Sequence, residues 1–185
     1  MNNINVFTGP MKSGKSSSII AEANSLLNNG EKVKVFKPII DDRFAQDSVM
    51  DRNGNKINAI NISKIEDIEK YDADSYFIDE FQFLDGDLNT IKKLANNGKK
   101  FYIAGLNLTA EKKVFGKMGD IINLADNVKT FTARCDCCGK DAIYTYCSAK
   151  KDGDILVGSD DIYMAVCADC YDKLSKEKND WNSRV

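Results

Sequence analysis

The sequence predicts an α/β fold of the phosphate-loop NTPase type: a mostly parallel sheet with helices on both faces, joined to a small zinc-ribbon-like β module. Three observations predict it. The run Gly9-Pro10-Met11-Lys12-Ser13-Gly14-Lys15-Ser16 fits the pattern G-x-x-x-x-G-K-[ST] at every fixed position. Strand-like and helix-like segments alternate through the first two-thirds of the chain, the rhythm of βαβ units. All six cysteines follow Lys129, and four of them form two C-x-x-C pairs.

Taken in order, the apolar stretch Ile4 to Phe7 reads as a strand and Ser17 to Leu27 as a helix. The glycine-rich run lies between them. Gly9 and Gly14 allow the tight backbone path in which successive N–H groups point inward at an anion, and the helix N-terminus faces the same point. Lys15 supplies a point charge for β/γ-phosphates and Ser16 a hydroxyl for Mg²⁺. A chance Gly/Ser-rich turn would lack this strand–loop–helix setting. Lys32 to Lys37 alternates as a short strand, and Asp41 to Asn55 is polar, contains Gly54 and reads as a mobile loop. Lys56 to Ile62 reads as a further strand, Ile65 to Glu69 as a short helix, and Ser75 to Asp79 as a compact buried strand. Leu88, Ile91, Leu94 and Ala95 form a helical stripe within Asp87 to Asn97, closed by Gly98, and Lys100 to Ala104 is the next strand. These elements predict a phosphate-loop domain over residues 1–128. A cysteine-bearing module over 129–175 and a disordered charged tail over 176–185 complete the expected division.

Length and composition set bounds on function. A chain of 185 residues buries one good core with room for a small appended unit. Charged residues make up 29% and the formal charge is −2, which argues against a general nucleic-acid or membrane surface. With no membrane-length apolar run and no signal-peptide shape, a cytoplasmic location is the expectation. There is no histidine. Any general base must therefore be a carboxylate, and any metal site must use Cys, Asp or Glu.

Phe77-Ile78-Asp79-Glu80 has the form of a strand end carrying a Walker B acid. Asp79 is placed to hold Mg²⁺ opposite Ser16, and Glu80 to take a proton from an attacking hydroxyl or water. Solvated acids at a strand exit are common, and the complete phosphate loop upstream is what gives this pair its meaning. Asp41-Asp42-Arg43 follows the second strand toward the ligand-binding edge of such sheets, where an arginine can neutralise phosphoryl charge. Read alone, Arg43 is more often a surface loop charge, and spacing does not decide between the two.

Cys135-x-x-Cys138 and Cys167-x-x-Cys170 are two knuckles flanking a β-rich span. Two such knuckles complete a thiolate tetrahedron suited to Zn²⁺, and four protein ligands leave no open position, so the metal is structural. Cys137 could compete within the first knuckle. Cys135 with Cys138 is favoured, because adjacent Cys137 and Cys138 chelate one ion awkwardly. Cys147 reads as a buried small hydrophobe.

In order and spacing, GPMKSGKSS, KPIIDDRF, FIDEFQFL, GLNLTAEKKVFG, the first knuckle with AIYT, and VGSDDIYMAVCADCY resemble the zinc-containing thymidine kinases of animal cytosol, many bacteria and large viruses. The resemblance covers nearly the whole chain. It implies ATP-dependent phosphorylation of the 5′-hydroxyl of thymidine, and of deoxyuridine, with Mg²⁺ and a structural Zn²⁺. It makes Glu80 the base, gives Mg²⁺ to Ser16 and Asp79, and sets Lys15, Asp41 and Arg43 by the phosphates. Phe81 and Gln82 continue the nucleotide site. Met11, Phe83, Leu106 and Thr145 line the base pocket, while Ile155, Leu156, Val157, Gly158 and Tyr163 form a lasso that reads the base through its backbone. It also implies a homotetramer inhibited by the triphosphate end product.

The chain departs from the family at Leu106-Asn107-Leu108-Thr109-Ala110, where members usually show Leu-Asp-x-x-Phe. Loss of that ring forfeits on the order of 1 kcal/mol of stacking, and Phe115 is the nearby ring available to compensate. Two other functions compete: a zinc-ribbon ATPase acting with nucleic acid, and a regulatory nucleotide-binding subunit. The first is disfavoured because Asp136, Asp141, Asp152, Asp154, Asp160, Asp161 and Asp169 outnumber the module's lysines and arginines. The second is disfavoured by the intact Gly9–Ser16 loop and the Asp79-Glu80 pair.

Overall fold

A computed structural model describes residues 3–39, 47–149 and 162–182, with side chains to residue 178. Among the described residues the strands and α-helices run in the order β1 (Ile4–Thr8), α1 (Lys15–Asn28), β2 (Val33–Pro38), β3 (Ser48–Met50), β4 (Lys56–Asn58), β5 (Ile60–Ile62), β6 (Ser75–Ile78), α2 (Asn89–Asn96), β7 (Lys100–Gly105), α3 (Met118–Leu124), β8 (Asn127–Thr130), β9 (Ala133–Arg134), β10 (Asp141–Ala142), β11 (Tyr144–Cys147), β12 (Tyr163–Val166) and α4 (Ala168–Asn182). Short 3-10 turns cover Ile65–Lys70 and Phe81–Phe83.

Six strands form the main sheet in the order β5-β2-β6-β7-β1-β8. Every pairing in it is parallel. Because successive side chains alternate faces, β6 sends Tyr76 and Ile78 to one side and Phe77 to the other. Both sides are apolar and covered, as a parallel sheet requires. One layer joins Phe36, Tyr76, Ile78, Phe101 and Ile103 to Ile91 of α2 and Met118 and Ile121 of α3. The opposite layer joins Val35, Phe77 and Ala104 to Ile19, Ile20 and Ala23 of α1 and to Val49 of β3. Phe77 is fully buried and stacks on Tyr102 with centroids 4.5 Å apart, a burial worth roughly 2–3 kcal/mol.

The elements differ from the sequence reading in four places. The 41–55 loop contains β3, which pairs antiparallel with β4. The Lys56–Ile62 strand is two strands, split where Ala59 N–H donates to Asp47 O (3.0 Å). The boundary expected after residue 128 falls within β8, which pairs with β1 from Asn127 to Thr130 and so belongs to the main sheet. The tail expected to be disordered from residue 176 is helical to Asn182. Its charged composition conceals a reason: Tyr171 and Leu174 pack on the module's small core, and Lys178 Nζ donates to Cys147 O (3.2 Å) and Ala149 O (2.8 Å).

The module consists of the β9–β10 and β11–β12 hairpins and the start of α4. Ser148 N–H and Oγ both donate to Ile162 O (2.9 and 3.1 Å) and close the neck of the β11–β12 hairpin.

Candidate active site

The phosphate loop leaves β1 with Gly9 at φ 143° and enters α1 from Gly14 at φ 89°. Gly9 has a steric reason to lack a side chain: a Cβ would lie 2.3 Å from Phe131 O. Lys15 is buried, and its Nζ donates to Pro10 O (2.7 Å), Gly9 O (3.1 Å) and Ser13 Oγ (3.3 Å), folding the lysine across the loop. Burial draws its ammonium below the ordinary value, while Glu80 and Asp79 pull the other way.

The acid pair lies directly beneath. Asp79 N–H donates to Phe36 O (3.0 Å), extending the sheet past β6, and Ser16 Oγ donates to Asp79 Oδ2 (2.8 Å). The hydroxyl and carboxylate expected to share a magnesium ion are therefore neighbours across 63 residues of sequence. Burial pushes the Asp79 carboxyl up to about 7, and adjacent Glu80 adds to the shift. Hydrogen bonds from Ser16 and the Glu80 N–H, and the Lys15 charge, oppose it.

Glu80 has φ 53° and ψ 38°, a left-handed conformation costly for a residue with a Cβ. Such strain persists only where surroundings enforce it, and it marks candidate functional positions. Gln82 holds the turn: its side-chain NH₂ donates to Glu80 Oε2, and its Oε1 accepts from Leu106 N–H (2.9 Å). This buried amide links the β6 end to the β7 end. Phe81, expected along the nucleotide site, has its ring fully buried in the core layer with α2 and α3.

After β7 the chain doubles back through an antiparallel Leu108–Val114 bridge, and Phe115 N–H donates to Asn107 O (3.1 Å). Phe115 thereby meets Phe83 edge-on at 5.3 Å. Gly116 makes the approach possible, since a Cβ there would sit 2.3 Å from Gln82 O. Ala110 lies in the turn, and its carbonyl accepts from Tyr171 OH (2.6 Å). Lys112 Nζ is 3.9 Å and 4.2 Å from the Tyr171 and Tyr144 ring centroids.

The module also meets the phosphate loop. Met11 N–H donates to Thr145 Oγ1 (3.0 Å), and Lys12 Nζ pairs with Asp136 Oδ2 (2.8 Å). Tyr163 faces Cys147 in the β11–β12 register, at the hairpin neck. Asp41 and Arg43, and Ile155 to Gly158, lie outside the described residues.

Cys135, Cys138, Cys167 and Cys170 bring their Sγ atoms within 4.8 Å of one another. Cys138 and Cys167 are 3.7 Å apart, close to the ~3.8 Å edge of a tetrahedron with Zn–S bonds of about 2.3 Å. Burial pushes the Cys135 thiol up, but N–H groups of Cys167, Cys138 and Cys137 outweigh it and draw it down to about 6. Cys170 is pushed up, first by its hydrogen bonds with Cys167 and Cys138. Four sulfurs this close can all ionise only around a cation, so the donor set fits a structural zinc ion. Cys137 is exposed and Cys147 buried.

Sequence reasoning missed three contributors. Asp51 at the β3–β4 turn accepts from Ser17 Oγ (2.9 Å) and from the Asn53 and Asn55 N–H groups (both 2.9 Å), pinning that hairpin to the start of α1. The Asp51-Arg52-Asn53-Gly54 turn signature was its signal. Asp136 and Tyr171 carried none beyond their place beside the knuckles.

A phosphate-loop α/β core with a Walker B acid pair, and a four-cysteine module bonded to the loop through Met11 and Lys12, define a protein of the phosphate-loop nucleotide-binding class. A family model described as Thymidine kinase matches residues 2–171, and the chain belongs to that family. It is 33% identical over 182 residues to a thymidine kinase of Pseudothermotoga lettingae, covering 96% of this chain and 98% of that one. It is 34% identical over 179 residues to a thymidine kinase of Mycoplasma mobile, covering 95% and 90%. Among the described residues no helix is long and apolar enough to cross a membrane.

Proposed function

We propose that this protein transfers the γ-phosphoryl group of ATP to the 5′-hydroxyl of thymidine, with deoxyuridine a second acceptor. The observation that carries the reading is the junction at Glu80. This strained residue stands one position after the acid bonded to Ser16, and its carboxylate is fixed by Gln82, which also holds Leu106.

Glu80 accepts the proton of the attacking 5′-hydroxyl, and the oxygen bonds to the γ-phosphorus as the bond from that phosphorus to the β,γ-bridging oxygen breaks and ADP leaves. Lys15 exchanges its contacts with Gly9 O and Pro10 O for phosphate oxygens, and Ser16 and Asp79 hold Mg²⁺. Phe83, Phe115, Leu106, Met11 and Thr145 enclose the base. The edge-on Phe83–Phe115 pair supplies the aromatic surface that Ala110 does not. By the family resemblance, Asp41 and Arg43 serve the phosphates, and Ile155 to Gly158 with Tyr163 read the base. The four cysteines hold zinc, which fixes the root of that segment. The same resemblance makes the enzyme a homotetramer inhibited by the triphosphate end product.

The test is ADP release with ATP and Mg²⁺ across a panel of deoxynucleosides. Release is expected to depend on thymidine or deoxyuridine, and Glu80→Gln to lower kcat by about 10²–10⁴-fold with ATP affinity kept. Equal ADP release without nucleoside, or release stimulated by DNA, would replace the kinase reading with an ATPase. Full turnover by the Gln variant would remove Glu80 from the role of base.

A further inference from the structure

We propose that Lys12 is a positioning residue coupling the phosphate loop to the cysteine cluster, so that zinc at the cysteines and triphosphate at the loop strengthen each other's binding. The inference rests on the reading above, in which the loop holds ATP and the thiolates hold zinc.

Lys12 occupies a variable position of the loop motif, so nothing in phosphate recognition demands a lysine there. It adopts φ 65°, one of three positive values at non-glycine positions among the described residues. Its Nζ meets Asp136 Oδ2 at 2.8 Å across 124 residues of sequence. The same carboxylate oxygen accepts from Ala165 N–H (2.8 Å), and Asp136 N–H donates back to Ala165 O (2.8 Å). Asp136 stands between Cys135 and Cys138, and Ala165 two residues before Cys167. One oxygen thus ties the phosphate loop, the first knuckle and the strand leading to the second.

Next to it, Met11 N–H donates to Thr145 Oγ1. Two consecutive loop residues are therefore held by the module rather than by the loop itself. The Lys12 and Asp136 side chains are only 25% and 31% exposed, so water screens the pair less than it would an open surface pair.

A phosphate loop binds by presenting its N–H groups in a fixed concave array, so whatever sets the path from Gly9 to Ser13 sets affinity. Zinc fixes the knuckle and with it Asp136. Without zinc, Asp136 loses its position, Lys12 loses its anchor, and the loop must be ordered by the nucleotide alone. Coupling of this kind is reciprocal: the factor by which zinc tightens nucleotide binding equals the factor by which nucleotide tightens zinc binding. Arg52 also faces Asp136, so removing Lys12 does not leave that carboxylate without a cation nearby. Asp136→Asn keeps an oxygen for the Ala165 N–H.

The experiment measures zinc affinity of the full chain by competition with a zinc-selective chelator, with and without a non-hydrolysable ATP analogue and Mg²⁺. Analogue affinity is measured by calorimetry on the zinc-loaded protein. In the unmodified protein the analogue is expected to tighten zinc binding about fivefold. Lys12→Met and Asp136→Asn each abolish that factor, the double variant is no worse than either single one, and Lys12→Arg retains it. Unchanged zinc affinity on adding analogue, or single effects that add in the double variant, overturns the coupling. If the unmodified protein binds no analogue, the loop reading falls with it. If it binds analogue and zinc independently, only the coupling falls.

Discussion

Asp79→Asn isolates the electrostatic cost of the proposed magnesium site. The Asp79 carboxyl is buried beside Glu80 and titrates at about 7, against 3.8 for a free aspartate. In the nucleotide-free, magnesium-free protein the folded state therefore binds a proton that the unfolded chain has already lost. Stability is full below the unfolded value and falls as pH rises through the folded one. At about 1.4 kcal/mol per pH unit, easing as the folded group titrates, the loss between pH 5 and pH 7 is roughly 2 kcal/mol, and it levels off near ~3 kcal/mol by about pH 8. Asparagine cannot ionise. It keeps an acceptor for the Glu80 N–H and can exchange its hydrogen bond with the Ser16 hydroxyl, so it escapes this loss. The variant's advantage in urea unfolding, with zinc held constant and magnesium chelated, should grow by roughly 3 kcal/mol from pH 5 to pH 8. Magnesium with ATP should cancel much of that gain by binding only the carboxylate form. An advantage equal at both pH values would show that burial does not raise the Asp79 carboxyl, and the argument for a strained magnesium site would fail.

Two further perturbations separate the two halves of the site. Gly116→Ala forces a Cβ to within 2.3 Å of Gln82 O at φ 51°. It should cost about 2 kcal/mol in thermal unfolding and raise the nucleoside KM more than the ATP KM, because Phe115 is displaced from Phe83. Cys138→Ser removes one sulfur of the quartet, and metal analysis after dialysis should find bound zinc falling from one per chain toward none.

The sheet was largely legible because its strands carry their own pattern. Buried runs such as Ser75–Ile78 and Lys100–Gly105 alternate apolar side chains to both faces, and no distant partner is needed to recognise them. The geometry of the candidate site was legible where one short segment holds it, as in Gly9–Ser16, Asp79-Glu80 and the two C-x-x-C pairs. What escaped notice depends on contacts between remote residues. Asp51 reads as a turn residue until Ser17 is beside it, and Asp136 as a solvated acid until Lys12 crosses 124 positions to meet it. Phe81 shows the converse. Its neighbours Glu80 and Gln82 meet through their side chains at the candidate site, but one residue along a 3-10 turn is enough to bury the Phe81 ring in the core. The helix from 176 to 182 was hidden because lysines that read as solvated also reach back, as Lys178 does to Cys147 O and Ala149 O.

Without histidine, the proposed mechanism asks one strand end for both the magnesium ligand and the proton acceptor from adjacent carboxylates, and two such groups in the same environment would compete for one role. Backbone geometry separates them. Asp79 continues the sheet through its N–H to Phe36 O and is buried against Ser16. Glu80 turns left-handed, and its carboxylate is met by Gln82, whose other end holds the Leu106 N–H beside the predicted base pocket. In the proposed mechanism, magnesium held by Asp79 would take the place of the proton that burial favours. Glu80 would then be the carboxylate left to receive the hydroxyl proton, and its left-handed φ of 53° is the backbone cost of setting it against Gln82.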